Sequence, residues 1–231
     1  LELGVEYIAL SFVQRPEDLL QARALVGERA ALLAKLEKPQ AVENLAAIPE
    51  LSDAVMVARG DLGVELPPAS VPLIQKRIIR EARRLGKPVV VATQMLESMI
   101  AAPTPTRAEA SDVATAVFDG ADAVMLSAES AAGQYPREAV RIMNRILWRV
   151  EQDAGWQAHM AAVRLGPAGY VADAIASAAT PVGATLQPPA TVAYIHRGAP
   201  VLRISRAGPT CPVFGVTPSV QARPARGPER G

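Results

Sequence analysis

The chain has 231 residues, half of them hydrophobic and a fifth charged, enough for one domain with a sizeable core and a smaller second part. Its 24 basic and 23 acidic side chains leave a formal charge of +1, so no overall field selects nucleic acid or a membrane surface as a partner. The single cysteine, Cys211, rules out an internal disulfide and fits a reducing compartment. No apolar run approaches the ~20 residues of a spanning helix, and LELGVEYIAL lacks the basic region and length of a signal peptide, so the expected location is the cytoplasm. The first residue is Leu and an apolar element begins at once, which suggests a chain cut from something longer.

Short apolar strands alternate with amphipathic helical segments from the start. A strand at 7–12 (YIALSF) precedes a helix at 16–27, with Pro16 suited to the first turn and Gly27 to the stop. A strand at 31–37 (ALLAKLE) leads to a helical segment at 41–51. A strand at 54–60 (AVMVARG) runs through DLGVELP into a helix at 72–86, whose inner stripe is read as Leu73, Ile74, Arg77, Ile78 and Leu85. PVVVATQ and AVMLSAE supply two more strands. The helix at 135–153 is expected to bury Val140, Met143, Ile146, Leu147 and Val150. Five strands, each with a helix, predict an α/β fold with a parallel sheet and right-handed crossovers. Residues 153–170 read as a linker. A smaller α/β part follows at 171–218, with a helix interrupted at Pro181, strands ATVAYI and CPVFGVTP, and helix-like VLRISRAG between them. The Pro-, Gly- and Arg-rich residues 219–231 read as a disordered tail.

Ser11, Lys35, Asp61, Thr93 and Ser127 stand at successive strand ends, 24, 26, 32 and 34 positions apart, close to the ~30 residues of a β/α unit. They should therefore cluster at the carboxyl edge of the sheet, where barrels of this kind build active sites. The period of a strand puts Lys35 and Glu37 on one face and aligns Arg59 with Asp61 on the next strand. Two carboxylates, Glu37 and Asp61, at neighbouring strand ends suggest a site for a hard divalent ion, which takes few protein ligands; a solvated Lys–Glu pair is the plainer alternative. Gly60 to Gly63 read as a turn that lets backbone amides approach an anionic ligand. Arg59, Gln94, Arg107, Glu109 and Asp112 are either ligands or braces of the rim. His159 and His196 share no ligand spacing with other His or Cys and are assigned to no metal.

ATQMLESM, followed by PTPTRAEASDVATAVFDGADAVMLSAES and preceded by MVARGDLGVELP, resembles the pyruvate kinases. The resemblance is nearly unbroken from Gly4 to about Glu151 and weaker to about Pro218. It implies a partial (β/α)8 barrel of about five units, spanning 1–152, then the truncated opening of a carboxyl-terminal domain. It implies transfer of the phosphoryl group of phosphoenolpyruvate to ADP, yielding pyruvate and ATP, with Mg²⁺ or Mn²⁺ held by Glu37 and Asp61. K⁺ is also implied, its ligands lying in the part of the family pattern absent here, and so is a homotetramer for the full-length form. By the same resemblance Lys35 stabilises the transition state, the amides of Gly60 and Asp61 with the Thr93 hydroxyl bind substrate, Thr93 relays a proton, and Ser127 and Glu129 support that relay. The stretch at 107–117 resembles a helix that meets a neighbouring subunit. SAES at 127–130 stands where the family has SGET, and Arg197 and Pro200 interrupt a loop that elsewhere holds an effector phosphate. A non-catalytic truncated piece and a Mg²⁺-dependent lyase of the phosphoenolpyruvate/pyruvate barrel group are the rival readings.

Overall fold

Apolar runs of three to six residues, too short for core helices, become the strands of one parallel sheet. They are β1 (Tyr7–Leu10), β2 (Ala31–Leu36), β3 (Ala54–Ala58), β4 (Val89–Ala92) and β5 (Ala123–Met125), hydrogen-bonded in chain order. The register pairs Tyr7 with Ala31, Leu33 with Ala54, Val55 with Val89 and Val90 with Ala123. The structure is a computed structural model that describes residues 2–163, 171–195, 201, 204–205, 208–209 and 211–218. The chain divides into two compact units, Leu1–His159 and Met160–Gly231.

The sheet of the first unit is covered on one side by helices. The helices in chain order, the short ones lying at strand ends, are α1 (Pro16–Val26), α2 (Pro39–Glu43), α3 (Ala47–Leu51), α4 (Arg59–Glu65), α5 (Val71–Leu85), α6 (Arg107–Phe118), α7 (Ala128–Ala131) and α8 (Pro136–Glu151), followed by α9 (Ala154–Ala162). Alternation along the strands sorts the apolar side chains into two layers. Ala34, Leu36, Val55, Val57, Val89 and Val91 join the main core with Ile78, Ile79, Val113 and Met143. Leu33, Ala54, Met56 and Ala92 form a smaller cluster with Tyr7, Val90 and Met125. Lys35 has the parity of Leu33, so it stands on the face away from the main core.

Several elements differ from the sequence expectation. The first strand stops at Leu10 because Phe12 turns left-handed, with φ 58°. The segment at 41–51 is two short helices, since the chain turns at residues 44–46 between α2 and α3. Helix α5 buries Ile74, Gln75, Ile78, Ile79 and Ala82, the i and i+4 rows of one face, while Leu73 is 66 % exposed. Helix α8 turns Ala139, Met143 and Val150 inward and leaves Val140 52 % exposed. Gly86 ends α5 in the left-handed conformation, φ 71°, as a residue without Cβ does cheaply. The stretch read as a linker carries α9, whose buried Trp156 donates from Nε1 to the Val117 carbonyl at 3.2 Å. That anchor attaches the start of the stretch to the first unit.

In the second unit, α10 (Val171–Leu186) runs through Pro181 without interruption. Proline removes one intrahelical donor, and the Ala-rich stretch before it favours the helix. Strands β6 (Thr191–Tyr194) and β7 (Val213–Val216) pair in parallel, Thr191 opposite Val213. The remainder of the linker, the loop at 196–200, most of the helix-like stretch between the strands and the tail at 219–231 lie outside the described residues. Among the described residues, no helix is long and apolar enough to cross a membrane.

Candidate functional site

Glu37 follows the last residue of β2 and is fully buried. Its Oε2 accepts from the Phe12 backbone amide at 2.7 Å, which ties it to the left-handed end of β1. Its Oε1 lies 2.5 Å from Lys35 Nζ but outside hydrogen-bonding geometry, so that atom has no hydrogen-bond partner. Lys35 Nζ donates instead to Ser11 Oγ at 2.9 Å. Lys35 and Glu37 do share a face, as the strand period requires. A buried carboxylate oxygen that lacks a donor is costly unless a cation meets it. The Lys35 ammonium supplies part of that charge, and the open lone pairs of Oε1 suit a hard cation.

The end of β3 departs from the expected turn. The alternation expected to align Arg59 with Asp61 ends at Ala58, and Arg59–Glu65 coil into α4. Arg59 turns inward and is buried, whereas Asp61 is exposed on the first turn of α4. Asp61 makes no hydrogen bond or ion pair to Glu37 or Lys35 among the described residues. Gly60 packs so closely that an added Cβ would stand 3.3 Å from Thr93 Oγ1. Its amide donates to that oxygen at 2.8 Å, and the Thr93 hydroxyl donates to the Ala92 carbonyl at 2.6 Å. Gly60 and Thr93 are therefore bonded to each other, and one lone pair of the Thr93 hydroxyl stays open.

Thr93 and Gln94, just beyond β4, both have positive φ, 70° and 53°. A β-branched residue in the left-handed region is strained, at a cost of about 1–3 kcal/mol. Five donors of Arg59 surround this turn and its neighbours. Nε and Nη2 donate to the Thr93 carbonyl at 3.2 and 2.8 Å, and Nη2 reaches the Gln94 carbonyl at 3.0 Å. Nη1 meets Asp112 of α6, 2.6 Å from Oδ2, and Gln75 of α5 at 3.5 Å. Arg59 and Asp112 thus brace the rim. A cavity of about 350 Å³ beside this brace is lined by Arg59, Gly60, Gln94 and Asp112 with Val64 and Pro68. Lys35, Glu37 and Thr93 do not line it, so it lies next to the strand-end groups.

Past β5, Glu129 is buried, its Oε2 accepting from the Ser127 amide at 2.7 Å and its Oε1 from the Leu96 amide at 3.2 Å. It links the last two strand ends and sets the backbone of Ser127. Glu109 takes four hydrogen bonds, from the amides and hydroxyls of Ser98 and Thr106, at 2.5–2.9 Å. Burial alone would raise its carboxyl pKa, but these bonds outweigh it and hold the group below the ordinary value. The arrangement of Glu109 with Thr106 is a capping box for α6. Among the described residues, no cluster of three or more His, Cys, Asp or Glu could hold a metal.

Ser11, Lys35, Glu37, Gly60, Thr93 and Ser127 thus gather along the carboxyl ends of five adjacent parallel strands. That defines a β/α-barrel-type scaffold with a polar site at the face where such folds carry out chemistry. The family model of the pyruvate kinase barrel domain matches residues 1–140. A pyruvate kinase of Agrobacterium vitis is 56 % identical over 96 % of the chain and 46 % of its own length. One from Methylorubrum extorquens is 56 % identical over 94 % and 46 %. The crystal structure of a pyruvate kinase from Cryptosporidium parvum superposes with a TM-score of 0.93 at 35 % identity, covering 99 % of this chain and 49 % of that one. The chain belongs to the pyruvate kinase family, its five units forming part of the family's barrel, and it spans about half the length of the relatives it matches.

Proposed function

We propose that these residues form one side of the active site of a phosphotransferase that moves the phosphoryl group of phosphoenolpyruvate to ADP. The bond from the enol oxygen to phosphorus breaks, one from the ADP β-phosphate oxygen to phosphorus forms, and the enolate left behind takes a proton at its terminal carbon to give pyruvate. The observation that carries this reading is the buried Glu37, whose Oε1 is ion-paired with the Lys35 ammonium but accepts no hydrogen bond. Charge spreads over the phosphoryl oxygens in transit, so positioned cations lower the barrier. Lys35, ion-paired with Glu37 and donating one N–H to Ser11, keeps N–H donors to offer those oxygens.

Glu37 and, across the neighbouring strand end, Asp61 would hold the divalent ion, Mg²⁺ or Mn²⁺. Such an ion would supply further positive charge to the phosphoryl group. The Asp61 amide would receive the substrate carboxylate, joined by the Thr93 hydroxyl once its proton turns from the Ala92 carbonyl. The Gly60 amide reaches a ligand only by sharing or exchanging its bond to Thr93. Thr93, with no suitable acidity of its own, passes the proton as part of a relay, and Ser127, fixed by Glu129, belongs to the same relay. K⁺ would be held by residues beyond this chain, and the working form is a cytoplasmic homotetramer with no nucleic-acid or membrane partner. The test is ADP dependence, using the chain joined to the part of the Agrobacterium vitis relative that it does not span. With Mg²⁺ and K⁺ present, phosphoenolpyruvate is consumed only when ADP is added. ADP-independent consumption would favour the lyase.

A further inference from the structure

We infer that Arg59 is a positioning residue which holds the Thr93–Gln94 turn left-handed and thereby aims the Thr93 hydroxyl, an inference that rests on the phosphotransfer reading above. The dipeptide Arg59–Gly60 grips Thr93 from two directions. The guanidinium takes the Thr93 and Gln94 carbonyls, and the next amide takes the Thr93 hydroxyl. Both gripped residues have the positive φ that side chains disfavour, so without the grip this turn relaxes toward ordinary backbone and the hydroxyl swings with it.

Arg59 is not a substrate ligand. It is 8 % exposed, and its donors are taken by the two carbonyls, Asp112, Gln75 and the Met95 sulfur. Only a planar fork spans two consecutive carbonyls while holding a carboxylate at its other end. A lysine offers one ammonium and cannot do so. The role of Arg59 is thus exerted through Thr93, on the step that needs its hydroxyl, and less on substrate binding.

The test uses the chain completed with the part of the Agrobacterium vitis relative that it does not span, in four forms: parent, Arg59→Lys, Asp112→Asn, and Arg59→Lys with Gln94→Gly. Arg59→Lys is expected to lower kcat by about 10²-fold, the scale of a 1 Å misplacement. The KM for phosphoenolpyruvate should stay within about threefold, because the Asp61 amide and the cations still hold the substrate while the proton relay through Thr93 is misaimed. Glycine at position 94 adopts positive φ without help, so the double variant should recover about tenfold of the loss. A merely structural arginine would show no such rescue. Asp112→Asn keeps the fork and loosens its anchor, and should show the same split at smaller amplitude, so the inference stays open to refutation even where Arg59→Lys does not fold. Parent kcat in Arg59→Lys or in Asp112→Asn, a loss confined to KM, or a folded double variant with no recovery would each overturn it. An inactive parent would sink the phosphotransfer reading itself, and this inference with it.

Discussion

Glu109 accepts four hydrogen bonds that join the segment after β4 to the start of α6, and its depressed pKa makes that buckle pH-sensitive. A carboxyl whose folded pKa lies below its unfolded value of 4.5 stabilises the fold fully above that value. The contribution fades as pH falls through the folded pKa. Glu109→Gln should therefore lower Tm by a few degrees at pH 7, and the gap should close on acidification; thermal melts of both proteins from pH 7 to 3 check this. Glu37→Gln keeps the bond to the Phe12 amide but removes the charge, and should raise the half-saturating Mg²⁺ concentration at least about tenfold. Binding of Mn²⁺ followed by water-proton relaxation gives a readout independent of turnover. Lys35 and Glu37 were legible because a strand's period needs only local sequence. The role of Arg59 was not, since its partners lie 16 to 53 positions away and β-branched Thr93 argues against the left-handed turn it adopts.

Among the elements, the five strands are legible because apolar runs bounded by Gly and Pro leave little choice of structure. Their ends are less so: Phe12 and Arg59 leave the extended conformation for reasons that lie in Glu37, Thr93 and Asp112. The stripes of α5 and α8 were displaced because neighbouring apolar side chains, Leu73 and Val140, fit a rough helical face as well as the true one does. Helix α9 was missed because GWQAHMAA has small residues on all sides and no stripe to read. Its anchor is Trp156, 8 % exposed and bonded to Val117 in α6. Replacing Trp156 by Ala should cost the first unit about 3 kcal/mol, read as a lower midpoint in urea denaturation. An unchanged midpoint would return the whole of 153–170 to the role of a connector.

For the molecule as a whole, the described sheet has two outer strands, β1 and β5, each paired on one side only, while the central β3 is buried throughout. Unpaired strand edges recruit other strands, so the 231-residue chain by itself should self-associate, and light scattering after size exclusion should show species larger than one chain. Completing it with the part of the Agrobacterium vitis relative that it does not span should suppress non-specific association and leave a defined oligomer. The central claim is that Lys35 and its buried partner Glu37 serve phosphoryl transfer. The most direct test is ATP formation from phosphoenolpyruvate and ADP with Mg²⁺ and K⁺, in the completed chain and its Lys35→Ala variant. The completed chain should make ATP, and kcat should fall by about 10²–10³-fold without Lys35. A folded, completed chain that makes no ATP, or one that makes it as fast without Lys35, would contradict that claim.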